Sequence, residues 1–219
     1  MIVALTKKPS LSRLLAIGGL FGLLAAGPAR AQTTAADAAG PLLTPAQFLG
    51  YALGSRFTPQ ADMNRYAAHV VAHAPGQMKL VRYGQTYEHR ALQVVEVASR
   101  ENFAKLDEIA NNRRRLAGLE SGAASRQLWL SYNVHGNEAV SSEAVMQVLY
   151  DLANPQDAEM QKYLQNTVVL LDPCVNPDGH DRYVNWYNRV QNQVPNASPY
   201  AWEHREPWPA AATIISTST

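Results

Sequence analysis

The sequence predicts an α/β domain built on a mixed, largely parallel sheet flanked by helices, with the sheet incomplete. Three observations carry this. Apolar, strand-like runs at 78–83, 91–98, 128–134 and 167–172 alternate with helical periodicity at 62–74, 102–116 and 138–153, the order of β-α-β units. The run at 167–172 is apolar at nearly every position, as in a strand covered on both faces. Two polar motifs, His135-Gly136-Asn137-Glu138 and Asn176-Pro177-Asp178-Gly179, follow the ends of the last two strands, where open α/β sheets gather ligands.

The chain begins with Lys7, Lys8 and Arg13, then an apolar run from Leu14 to Ala26, then a small-x-small site at Ala29-Arg30-Ala31. This three-part pattern predicts a signal peptide over 1–31, cleaved after Ala31, and a secreted or periplasmic protein. The apolar run is short of the roughly 20 residues that span a bilayer, so no stable membrane anchor is expected. Residues 32–43 read as a flexible, Ala-rich leader, and the folded domain is expected over 44–209.

Within that domain Thr44-Pro45-Ala46-Gln47 reads as a capped helix start, and the helix at 62–74 ends at Pro75-Gly76. The strands at 78–83 and 91–98 are expected to turn around Gly84. Phe103, Leu106, Ile109 and Ala110 set the face of the helix at 102–116, which stops near Gly118. Val145, Val148, Leu149 and Leu152 set that of 138–153. After Gly179 the aromatic residues Tyr183, Trp186, Tyr187, Tyr200, Trp202 and Trp208 lie among Asn and Pro without a clear period, and the stretch reads as long loops.

Composition narrows the function classes. With 219 residues and ordinary apolar and charged content, the chain can bury one sizeable core. A net charge of +1 argues against a polyanionic partner, and no nucleic-acid role is expected. The basic run Arg113-Arg114-Arg115 closes a predicted helix, where cations complement the helix dipole. Cys174 is the only cysteine, so no intramolecular disulfide supports the fold.

The chemistry rests on spacing. His135 and Glu138 can turn toward one metal ion where a strand gives way to a helix, and imidazole nitrogen plus carboxylate oxygen suits Zn²⁺. Each motif also has a plain structural reading: a capping Glu beside a partly buried His, and a tight Asn-Pro-Asp-Gly turn. Their pairing and order favour the metal reading, with Gly136 removing bulk beside the ion.

Together these residues resemble the M14 zinc carboxypeptidases over roughly Tyr66 to Trp208, and Tyr83-Gly84-Gln85-Thr86-Tyr87-Glu88-His89-Arg90 is similar to that family's turn between its first two strands. The resemblance implies a zinc-carboxypeptidase-like fold and the hydrolysis of C-terminal residues from a peptide or protein substrate. It makes His135 and Glu138 the first two zinc ligands. It makes Arg189, or else Arg182, the residue that polarises the scissile carbonyl, with Asn188 beside Arg189 as a substrate-binding residue. Family members complete the zinc site with a second His and carry a Glu base further along, and the chain is expected to lack both. His180 and His204 lie too close to the turn to match that third ligand.

From Ala210 to Thr219 the composition changes abruptly, and the tail is expected to be aberrant or disordered. A neighbouring reading frame permits a string similar to the family's approach to its Asn-Arg clamp, which predicts a frameshift near codon 209. A half-domain of this kind would bind zinc weakly and leave an unpaired sheet edge prone to aggregation. Two other readings stand beside it. One is a non-catalytic exported module binding peptide or glycan through its Tyr/Trp loops; the other is a zinc-dependent N-acyl amino acid deacylase.

Overall fold

A computed structural model of the chain describes residues 40–109, 118, 126–154, 156–191, 194 and 196–206, all within one unit, Thr33–Thr219. The expected signal peptide, Arg113-Arg114-Arg115, Trp208, the tail at 210–219 and residues 110–116 of the helix expected at 102–116 lie outside the described residues.

Thr44 opens helix α1 (Pro45–Leu49) with a reciprocal capping box, its hydroxyl accepting from the Gln47 amide while the Gln47 side chain accepts from the Thr44 amide. Helix α2 (Gln60–His73) buries Met63, Tyr66, Ala67, Val70 and Val71, the i, i+3, i+4, i+7, i+8 stripe of an amphipathic helix. Strands β1 (Met78–Gln85) and β2 (Ala91–Val97) pair antiparallel. Gly84 does not make the turn between them. It sits inside β1 opposite Leu92, beside a register shift, and the chain reverses at 86–90 with His89 in the left-handed region.

Helix α3 (Arg100–Phe103) is short, capped by the Ser99 hydroxyl, and helical backbone resumes over 106–109. Strand β3 (Arg126–Ser131) is followed by helix α4 (Val140–Ala153), helix α5 (Ala158–Leu164) and strand β4 (Thr167–Asp172). Helix α6 (Pro177–Val190) and a 3-10 turn at Trp202–His204 complete the described chain.

The sheet order is β1-β2-β4-β3. Only β3 and β4 run parallel, joined by the α4–α5 crossover that a parallel pair requires; β2 meets β4 antiparallel, with Val95 opposite Leu171. The sheet is thus mixed, and the tight connection between β1 and β2 gives it more antiparallel pairing than strand-helix alternation suggests. One face packs against α2 and α4 through Met63, Tyr66, Val70, Val145, Met146 and Leu149. The other is covered by Phe103, Leu106 and Ile109 against Val94, Val168 and Leu170. Burial on both sides explains the continuous apolar sequence of β4. Among the described residues β3 pairs only with β4, and Leu128 and Trp129 on it are half-exposed.

Helix α6 corrects the expectation of loops after Gly179. Asn176 accepts from the Gly179 amide at 3.0 Å as N-cap, and Pro177 occupies the first turn, where its fixed φ suits a helix. The aromatic residues that obscured the period stack along it: Tyr183 lies 5.8 Å from Tyr187 and 5.6 Å from Trp186, and Phe57 packs on Tyr183 and Tyr187.

Candidate metal centre at the carboxyl rim

Strands β3 and β4 end side by side, and the chain beyond them stays paired for several residues. Tyr132 donates to the Asp172 carbonyl, Val175 to the Tyr132 carbonyl and Asn176 to the Asn133 carbonyl. The Asn176 side chain also donates to the Val134 carbonyl at 3.2 Å. The two motifs therefore share one rim, as the spacing predicts.

Between β3 and α4 the chain makes a turn, and this corrects the expected boundaries. The strand stops at Ser131 instead of Val134, and the helix starts at Val140 instead of Glu138. The Glu138 amide donates to the His135 carbonyl at 3.0 Å, so His135 and Glu138 are the first and last residues of one tight turn with Gly136 and Asn137 at its centre. That turn, within the connection from β3 to α4, brings their side chains together: His135 Nδ1 lies 3.1 Å from Glu138 Oε1, and both side chains are about half exposed.

Two donors each about 2.1 Å from a tetrahedral zinc stand about 3.4 Å apart. The His135–Glu138 pair has nearly this separation and the right donor types, so it fits two positions of such an ion. Among the described residues no group of three or more His, Cys, Asp or Glu side chains could hold a metal. His204 stacks on Tyr187 at 6.5 Å between ring centres. His180 is fully buried; its Nε2 donates to the Thr58 carbonyl at 2.9 Å and its Nδ1 faces the Ser142 hydroxyl. Burial holds its pKa below the usual histidine value.

Gly136 has a different purpose from the one its position beside the ligands suggests. Its backbone lies against the first turn of α6, where a Cβ would meet the Gly179 carbonyl carbon at 2.1 Å and the His180 nitrogen at 2.6 Å. Glycine is needed for backbone packing, not for access to an ion.

Asn188, the expected substrate-binding residue, has its side chain engaged within the fold. Its Nδ2 donates to the Phe57 carbonyl at 2.8 Å and its Oδ1 accepts from Gln191, so its amide is committed to the fold. The same segment is held by the Thr58 amide donating to Glu143 and the Gln60 amide donating to Asp181. Arg189, on the last turn of α6, is exposed and donates back to the Asn185 carbonyl. It stands about 15 Å along the helix axis from Gly179, at 1.5 Å per residue. Arg182 lies one turn from the helix start and donates to Glu88 at 2.7 Å.

Sequence gives no individual role to three further residues of this rim. Asp178 is buried and accepts from the Thr86 hydroxyl at 2.7 Å and from Arg90 at 2.8 Å, tying the β1–β2 turn to α6. Asp172 is buried at the end of β4, accepts from the Tyr83 hydroxyl and the Cys174 amide, and has its pKa raised by burial. Asn133 is buried with a φ of 54°. The Thr86–Arg90 stretch next to Asn-Pro-Asp-Gly was a usable signal for the first; nothing local marks the other two.

The described residues form a mixed α/β domain in which the His135 and Asn176 motifs meet at the carboxyl rim of the sheet. Residues 63–204, more than half of the chain, match the zinc carboxypeptidase family, M14, and the chain belongs to it. Similar solved structures include the carboxypeptidase A from Helicoverpa armigera, at 16% identity and a TM-score of 0.47, covering 76% of this chain and 34% of that one. A metallo-carboxypeptidase from Burkholderia cenocepacia is 20% identical with a TM-score of 0.42, covering 57% of this chain and 30% of its own. The chain thus spans about a third of the length of these structures.

Proposed function

We propose that this chain carries the first part of a zinc-dependent carboxypeptidase site, acting after export on the C-terminal residues of peptides or proteins, with His135 and Glu138 as metal ligands. The observation that carries the reading is the 3.1 Å approach of His135 Nδ1 to Glu138 Oε1 across one turn at the sheet rim. When bound, zinc would supply Lewis-acid polarisation of a peptide carbonyl. His135 would contribute a neutral imidazole and Glu138 a carboxylate, both presented by backbone that is fixed on either side of the turn. Arg182 is the nearer of the two arginines along α6 to that turn, and it would reach a substrate oxygen by sharing or leaving Glu88. Arg189 would need the substrate to extend along the helix.

Zinc titration of the full chain with a chromophoric chelator as competitor tests the ligand set. His135→Ala and Glu138→Gln should each weaken binding by tenfold or more, since each removes one of few donors. Equal affinity in wild type and both variants would overturn the reading. The export step predicts a mature protein beginning at Gln32, read by mass spectrometry; an intact Met1 in the periplasmic or secreted fraction would remove it.

A further inference from the structure

We infer that Asn133 is the positioning residue that presents His135 and Glu138 to a divalent metal ion, acting through its left-handed backbone and not through its amide. This rests on the metal reading of the His135 turn.

Asn133 is 2% exposed and has a φ of 54°, a conformation that most side chains resist and that Asn tolerates. It redirects the backbone two residues beyond the end of β3 and two before His135. Both of its backbone groups are taken. Its amide donates to the Ser141 hydroxyl at 3.0 Å, and its carbonyl accepts from Asn176 at 3.2 Å. Ser141 in turn donates its own proton to the Glu138 carbonyl at 2.8 Å. One hydroxyl therefore links the residue before the turn to the last residue of the turn, and the Asn176 side chain fixes Val134 between them. The loop holding both candidate ligands is closed on itself, with Asn133 as the point from which its direction is set.

The amide is less well served than the backbone. Oδ1 accepts only a thiol contact from Cys174 at 3.4 Å, and Nδ2 is buried with no hydrogen-bond partner. A residue kept for its side chain would be expected to satisfy it. What the site retains here is the left-handed turn, which glycine supplies equally well and alanine does not.

The test compares Asn133→Ala, Asn133→Gly and the milder Ser141→Ala in the full chain. Two readouts are used: zinc affinity by chelator competition, and amide hydrogen exchange without metal. Asn133→Ala should weaken zinc binding by about 10–100-fold, the range seen when residues supporting a ligand are lost. Asn133→Gly should remain within about threefold of wild type, because it keeps the φ. In the metal-free protein Asn133→Ala should speed exchange of the Glu138 and Asn176 amides while α2 amides keep their protection. Ser141→Ala should speed the Asn133 amide, which loses its acceptor, and the Glu138 amide, while the Asn176 amide keeps its protection. Glycine falling as far as alanine, wild-type zinc affinity in Asn133→Ala, or a uniform loss of protection across α2 and β4 would each overturn the inference. If wild type binds no zinc through His135 but the exchange pattern holds, the metal reading fails while the hold of Asn133 on the turn stands.

Discussion

Gly136 and Gly179, one from each motif, touch backbone to backbone: a Cβ on Gly136 would stand 2.1 Å from the Gly179 carbonyl carbon and 2.3 Å from its oxygen. Neither neighbour is a flexible side chain that could swing aside. Gly136→Ala should therefore push the His135 turn off the first turn of α6. The expected cost is roughly 1–3 kcal/mol, the range for overpacking. Urea unfolding measures it, and zinc affinity should fall with it because His135 moves. A variant as stable as wild type would mean that the two motifs do not pack this way.

Arg90 is the second tie between the turn at 86–90 and α6. It donates to Glu88, to the buried Asp178 at 2.8 Å and to Asp181 at 2.8 Å. Burial opposes its charge, but the three carboxylates outweigh that and hold it protonated. Arg90→Ala would take the guanidinium from the buried Asp178, and removing one partner of a buried ion pair costs about 3 kcal/mol or more. Arg65→Ala, which removes an exposed pair with Asp62, should cost less than about 1 kcal/mol. Equal losses in the two variants would show that the Arg90 network contributes no more than a surface ion pair.

Acid should destabilise the domain in two stages. Burial lowers the His180 pKa from 6.5, so between its folded value and 6.5 the unfolded chain binds more protons and stability rises with pH. Stability is therefore lost as pH falls below about 6.5. The Arg182 and Arg90 hydrogen bonds lower the Glu88 pKa from 4.5, which adds a further, solvent-weakened loss below that pH. Asp172 acts in the opposite sense: its raised pKa means the folded state holds the proton more tightly, favouring folding as pH falls toward 3.8. Urea midpoints from pH 8 to 5 should fall in wild type and change less in His180→Gln, whose amide can still donate to Thr58. Parallel pH profiles would sink the assignment to His180.

Periodicity found the elements whose burial is simple. Strand β4 is apolar from Val168 to Leu171 because both its faces are covered, and α2 shows its stripe because one side faces the core. The His135–Glu138 pair was legible because spacing alone fixes which two side chains a turn can bring together. The turn itself was not, since Val134 continues the apolar run of β3 in sequence while Asn133 has already left the strand in space. Helix α6 was hidden by its composition: of its buried residues Pro177, Asp178, Gly179, His180 and Val184 only the last is a typical core residue, its aromatic rings are half-buried, and its start, Asn176-Pro177, serves equally as a turn and as a cap. The bond from Asn188 was not legible because its partner, Phe57, lies far away in the chain and joins it only when α6 packs against the segment preceding α2.

Cys174 provides a probe of this rim that needs no substitution. It is buried, its thiol points at the Asn133 oxygen, and burial raises its pKa well above the ordinary thiol value. Only thiolate attacks disulfide reagents, so the native protein should react at least roughly a thousandfold more slowly than the urea-unfolded chain, as expected for a site reached only through opening. If the rim opens locally, the rate should exceed that set by global unfolding, and Asn133→Ala should raise it further than Asn133→Gly. Reaction of native wild type at the unfolded rate would mean that the chain between β4 and α6 is not packed beneath the His135 turn.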